Sequence, residues 1–212
     1  MIKRFRVRAR HPQRYLIQKA VAELERNNLV IFPTETLYGL GAKSTSKKAI
    51  RSLLRAKQRP EKKGFILLIV KKDQLKPLVQ EIPPIAKTLI KKFWPGPLTL
   101  VFKKKASVSN LLSGNTNTIA IRFTSHPVAR AIIISLNRPI TAPSANISGN
   151  PPPQTALAAM RDLQKVSSIS FALDAGRSPR AKPSTIVDVT GRTPIILREG
   201  AITKKRIMRA LG

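Results

Sequence analysis

The sequence predicts an α/β fold, a single domain with a twisted mixed sheet flanked by helices. Three observations lead there. Apolar runs of strand length alternate with stretches of helical period. A chain of 212 residues is long enough to bury one sizeable core. No repeat or low-complexity linker divides it, and the one proline-rich stretch, "GNPPPQ" at 149–154, reads as a rigid loop. Residues 1–12 are set apart as a basic N-terminal extension, leaving 13–212 as the folded body.

The elements follow in order. "QRYLIQKAVAELERN" (13–27) places Leu16, Ile17, Ala20, Val21 and Leu24 on one helical stripe, with Asn27 and Asn28 suited to its end. "LVIF" (29–32) is a strand. "SKKAIRSLLRAK" (46–57) reads as a helix capped by Ser46, with Ile50, Leu53 and Leu54 facing inward and Lys57 and Arg59 at its exposed end. "FILLIV" (65–70) has the unbroken apolar pattern of a strand covered on both faces. Further strands are predicted at 98–102, 118–123, 185–189 and 195–198, separated by helices near 83–93, 127–137, 154–164 and 203–211.

Composition excludes several chemistries. There is no cysteine, and His11 and His126 are the only imidazoles, so disulfides, thiolate metal sites and histidine-based triads are not expected. No apolar run reaches the roughly 18 to 20 residues needed to span a bilayer. The start "MIKRFRVRAR" lacks a signal-peptide core, so a cytoplasmic protein is expected. The net charge of +30, from 40 Lys+Arg against 10 Asp+Glu, attracts polyanions, RNA above all. The cations are spread along the chain, so a solvated basic surface explains them as well as an RNA-binding face does.

The stretch "PTETLYGLGAKST" (33–45) resembles a phosphate-binding loop but fails both strict patterns, because Gly39 and Gly41 are one residue apart and Ser44 stands where a dinucleotide fingerprint wants glycine. Other stretches place polar groups at strand ends, where open α/β sheets bind ligands. "KQRP" (57–60) offers Lys57 and Arg59, "TIAIR" (118–122) ends in Arg122, and "APSANISG" (142–149) alternates Ser144, Asn146 and Ser148. "KPSTIVD" (182–188) and "ILREG" (196–200) deliver Ser184 and Arg198. Each stretch taken alone is also ordinary turn or helix-end material.

Taken in order, "FPTETLYGLGAKS", "KQRPEKKGFILLI", "WPGPLTLVF", "AIRFTSHP", "PSANISGNPPP", "PSTIVD" and "ILREG" closely resemble the YrdC-like family of threonylcarbamoyl-AMP synthases, the TsaC type, from about Arg14 to Arg198. The resemblance implies a YrdC-like domain with a deep, basic cleft. The implied reaction joins L-threonine, bicarbonate or CO2 and ATP into threonylcarbamoyl-AMP with release of diphosphate. A tRNA threonylcarbamoyl-transfer complex of the TsaB/TsaD/TsaE type then uses the product at adenosine 37 of tRNAs reading codons that begin with adenine.

Position by position, the resemblance implies that Lys57 and Arg59 neutralise ATP phosphates. Ser144 and Asn146 would hold the triphosphate and the Mg2+ it carries, with no protein side chain assigned as a metal ligand. Thr118 and Arg198 would be further ATP contacts, and Thr36, Arg122, Ala142 and Ser184 would surround threonine, its carboxylate paired with the arginine. Gly39 and Gly41 are expected to let the backbone approach the ligand closely. Many relatives read "RPxxNPLIVH" where this chain has "RPEKKGFILL", so Lys63 and Leu68 stand in place of ligand-touching residues and their roles stay open. The chain also ends soon after Arg198, as the short bacterial branch does. Two rival readings are a non-catalytic RNA-binding or ribosome-assembly factor using the same basic cleft, and a carbamoyl-transfer domain of a larger maturation enzyme.

Overall fold

Residues 1–212 are described by a computed structural model. In chain order the elements are β1 Lys3–Arg6, α1 Arg14–Glu25, β2 Leu29–Phe32, β3 Gly39–Gly41, α2 Lys47–Ala56, β4 Ile66–Ile69, α3 Pro84–Phe93, β5 Leu98–Lys103 and α4 Asn110–Ser113. They continue with β6 Thr118–Phe123, α5 Pro127–Leu136, β7 Ile140–Thr141, α6 Ala156–Asp162, β8 Ile169–Asp174, β9 Thr185–Asp188, β10 Ile195–Arg198 and α7 Lys204–Leu211. The apolar runs become strands whose side chains are covered on both faces: all of β2 is buried, as are Leu67, Leu68 and Ile69 of β4. Ser46 caps α2, its side chain accepting the Ala49 N–H, and Ile50, Leu53 and Leu54 are buried.

The strands form two mixed sheets where one was expected. A four-stranded sheet runs β1-β8-β2-β3 and a six-stranded sheet runs β10-β9-β5-β6-β4-β7. They meet where the β3 region touches the β7 region, through bridges between Gly39 and Ser144 and between Lys43 and Ile140. Residues 1–12 are more than an appendage, since β1 pairs in parallel with β8, Lys3 opposite Phe171 and Arg6 opposite Asp174, and Ile2 and Val7 are buried.

Register in the larger sheet positions the polar groups. Arg122 on β6 lies between Leu68 of β4 and Thr99 of β5, while Leu98 of β5 pairs with Thr185 of β9. The main core cluster joins α2, α3 and α7 to the sheets, and a second packs α1 and α5 against β2, β8 and β4. Leu68 belongs to that second cluster and is fully buried there, so it touches core and not cleft.

Candidate functional site

Strand ends and loops from both sheets enclose a cavity of about 630 Å³, and Thr36, Lys57, Arg59, Thr118, Arg122, Ala142, Ser144, Asn146, Ser184 and Arg198 all line it. Lys62 and Lys63 add to the cationic lining, which contains no Asp or Glu. Such an enclosure lowers the local dielectric and focuses a positive field, so it suits ligands that carry carboxylate and phosphate charge.

One wall is the turn after β2. Thr34 Oγ1 accepts the N–H groups of Thr36 and Leu37, both at 3.2 Å, and donates to Leu37 O at 2.6 Å. The turn leaves Thr36 Oγ1 facing β6, where it accepts from Arg122 Nη1 at 3.0 Å. Glu35 turns inward as well: its Oε1 lies 3.5 Å from Arg122 Nε, and its Oε2 accepts from Thr124 Oγ1 at 2.7 Å. Arg122 and Glu35 are only 4% and 6% exposed, a buried ion pair in which Oε1 and Nε face each other without a hydrogen bond to either. The glycines of this wall serve packing: a Cβ on Gly39 or Gly41 would come within 3.2 or 3.0 Å of the Phe32 ring. Both glycines thus lie in tight contact with that ring, and Gly39 also lines the cavity. Lys43 lies away from the cavity and pairs with Glu25.

A second group forms where β9 and β10 meet β5. Arg198 donates from Nε and Nη2 to Ser184 O at 3.0 and 2.8 Å, and from Nη2 to Ser184 Oγ at 3.1 Å. Ser184 Oγ is 2.8 Å from Thr99 Oγ1. Burial and then the nearby charge of Arg122 hold the Arg198 guanidinium below its ordinary pKa. Arg198 thus sits with Ser184 and Arg122, the residues matched to threonine, although sequence resemblance places it with ATP.

The third group is built around Lys57. The exposed helix end expected from the sequence is not what forms: Lys57 is 2% exposed. Its Nζ donates to Ser144 O at 2.6 Å and Asn146 O at 2.7 Å, with Asn146 Oδ1 at 3.4 Å. Burial, reinforced by Arg59 and opposed by Asp162, pushes its pKa from 10.5 down to about 8. Two of its three N–H groups are spent on short bonds to the loop carbonyls, and the third has only the longer contact to Asn146 Oδ1. Arg59 reaches back to Lys63 O at 3.0 Å and Gly64 O at 2.7 Å, with its guanidinium 5.2 Å from the Phe65 ring centre. Thr118 is half-buried at the rim, 3.0 Å from Thr116 Oγ1.

Apart from Lys57, whose pKa is lowered to about 8, no side chain in the lining is a ready proton acceptor. Tyr38 donates its hydroxyl to Gly176 O at 2.6 Å, and burial raises its pKa. His126 lies outside the lining and caps α5, its Nδ1 accepting the Val128 N–H, and burial lowers its pKa against the field of Glu35. No group of three or more His, Cys, Asp or Glu side chains is placed to hold a metal ion. The lining offers Mg2+ only neutral oxygens such as those of Ser144 and Asn146, which fits an ion arriving with a nucleotide. Sequence reasoning passed over Glu35, although it lies within the quoted turn, and Asp162, whose partners are 12 and 15 residues away.

The family model described as "Sua5_yciO_yrdC: Telomere recombination" matches residues 22–200. A threonylcarbamoyl-AMP synthase of Pyrococcus abyssi is 38% identical over 200 residues, which cover 94% of this chain and 58% of that protein. A threonylcarbamoyl-AMP synthase of Photobacterium profundum is 33% identical over 186 residues, covering 87% of this chain and 98% of that one. The crystal structure of P. abyssi Sua5 complexed with L-threonine superposes with a TM-score of 0.94 at 37% identity, covering 99% of this chain and 61% of that one. The chain therefore spans a little over half of the archaeal relative and nearly all of the Photobacterium one.

Proposed function

Because the chain belongs to the Sua5/YciO/YrdC family, we propose that its cavity makes threonylcarbamoyl-AMP from L-threonine, bicarbonate or CO2 and ATP, a nucleotidyl transfer that releases diphosphate. The observation that carries the proposal is a lining of six cations, Lys57, Arg59, Lys62, Lys63, Arg122 and Arg198, with no carboxylate among them. All three substrates are anionic or carry anionic groups, and bringing them together is first a matter of neutralising charge and fixing geometry.

The chemistry balances without a covalent enzyme intermediate. The neutral amine of threonine and bicarbonate give a carbamate and water. A carbamate oxygen then attacks the α-phosphorus, the bond to the bridging oxygen breaks, and diphosphate leaves with its Mg2+, which belongs to the substrate. Arg122, oriented by Thr36 and Glu35, meets the threonine carboxylate with Ser184 and Ala142 beside it. Lys57, Arg59, Ser144 and Asn146 face the triphosphate, with Thr118 at the rim. Arg198, bonded to Ser184 yet free along one side, lies where threonine and nucleotide converge.

The product would pass to a tRNA threonylcarbamoyl-transfer complex of the TsaB/TsaD/TsaE type. The spread of +30 charge supports weak RNA binding without base preference, so affinity for tRNA and for an unrelated RNA falls in parallel as salt rises. Salt-resistant binding to one RNA would favour an RNA-factor role instead. The enzymatic proposal is tested by diphosphate release with each of ATP, L-threonine and bicarbonate omitted in turn; release that continues without threonine contradicts it.

A further inference from the structure

The loop from Ser144 to Asn150 is held from two sides. On one side stands the end of α2: Lys57 Nζ donates to the Ser144 and Asn146 carbonyls, and Ser148 N donates to Lys57 O at 2.9 Å. On the other side stands Asp162, the last residue of α6. Its Oδ2 accepts the Ile147 N–H at 2.6 Å and its Oδ1 accepts Asn150 Nδ2 at 2.5 Å. Asn146 Nδ2 donates to Asn150 O at 2.6 Å and closes the circuit.

A carboxylate at this position is not explained by its own helix. The C-terminal end of a helix carries partial negative charge, which disfavours an anion there. The helix itself is anchored independently: Thr155 caps it, and Ala156, Ala159 and Leu163 are fully buried. The two bonds to the loop are what Asp162 gains. Asp162 is also absent from the cavity lining, so it touches no substrate.

We propose that Asp162 is a positioning residue for the nucleotide side of the cleft. It fixes the 147–150 segment, and through Asn150 and Asn146 it sets the carbonyls that aim Lys57 and the side chains that face the triphosphate. This rests on reading Lys57, Ser144 and Asn146 as the triphosphate wall.

The test compares the whole protein with Asp162→Ala and Asp162→Asn. For Asp162→Ala the KM for ATP and the Kd for a non-hydrolysable ATP analogue rise about tenfold or more, while the KM for L-threonine stays within about twofold. Hydrogen exchange at the Ile147 amide accelerates by about tenfold or more once its acceptor is gone. Asp162→Asn, which keeps an acceptor oxygen, falls between the variant and the parent. Equal rises in both KM values, or an unchanged Ile147 exchange rate, would overturn the proposal. If the parent protein makes no product at all, the proposed reaction fails, and the analogue Kd and Ile147 exchange still decide the role of Asp162. A faster-exchanging, weaker-binding Asp162→Ala upholds it, and an unchanged one refutes it.

Discussion

Replacing Lys57 with alanine separates catalysis from stability, and the structure shows why the two effects differ in size. The variant loses two short bonds from an ammonium to the Ser144 and Asn146 carbonyls, each worth about 1.5–3 kcal/mol as a charge-assisted bond. It also loses an unfavourable term. An ammonium whose pKa falls from 10.5 to about 8 is held at a cost of ~3 kcal/mol at neutral pH, and the variant recovers that amount. The Ser144 carbonyl keeps a second donor, the Asn146 N–H at 2.9 Å, so it is not left orphaned. The balance of these terms is a loss of about 0–3 kcal/mol, or a Tm lowered by up to roughly 12 °C for a chain of this size. Catalysis has no such offset. Losing the cation that faces the phosphates, together with the loop geometry it holds, should lower kcat/KM for ATP by about 10²–10³, or 2.7–4 kcal/mol. Diphosphate release measured on folded protein, with Tm determined by calorimetry, checks both numbers. Near-normal turnover by the folded variant would refute the reasoning, as would a rate loss accounted for by the unfolded fraction.

Three further outcomes are expected. Lys57 carries its charge below about pH 8 in the free protein and loses it above, so kcat/KM for ATP falls on the alkaline side of about 8, while the limb in kcat lies higher because bound phosphates favour the ammonium; coincident limbs in the two pH profiles would contradict this. Arg122→Lys raises the KM for threonine on the order of tenfold and that for ATP much less, because an ammonium cannot reproduce the planar fork that meets a carboxylate; comparable rises in steady-state assays would move Arg122 out of the threonine pocket. Glu35→Gln leaves Arg122, 4% exposed, without its carboxylate, at a cost of about 3–5 kcal/mol; L-threonine should then raise the Tm of the variant more than that of the parent, and an equal or smaller rise would contradict the assignment.

Local signals carried much of this structure. The strands over 29–32, 118–123 and 195–198 form with the predicted bounds, and Ser46 caps α2, because apolar runs and capping chemistry act over a few residues. Pairings between distant segments left no such trace. β8 and β1, which complete a second sheet, find their partners far along the chain, Lys3 opposite Phe171. The same limit governs the site. Motif order collected the lining residues, but it could not show that Lys57 is buried against carbonyls 87 and 89 residues away. Nor could it show that Glu35 reaches Thr124, or that Gly39 and Gly41 pack against the ring of Phe32.

The most direct test of the proposed chemistry follows two labels into one molecule. The protein is incubated with L-threonine, ¹³C-bicarbonate and ATP labelled at the α-phosphate, and the products are resolved by mass spectrometry. The account predicts a single product containing threonine, the carbon from bicarbonate and the labelled α-phosphate, formed in step with diphosphate and with no RNA present. Recovery of the α-label only in ATP or free AMP, with no ¹³C joined to threonine and adenylate, would contradict it.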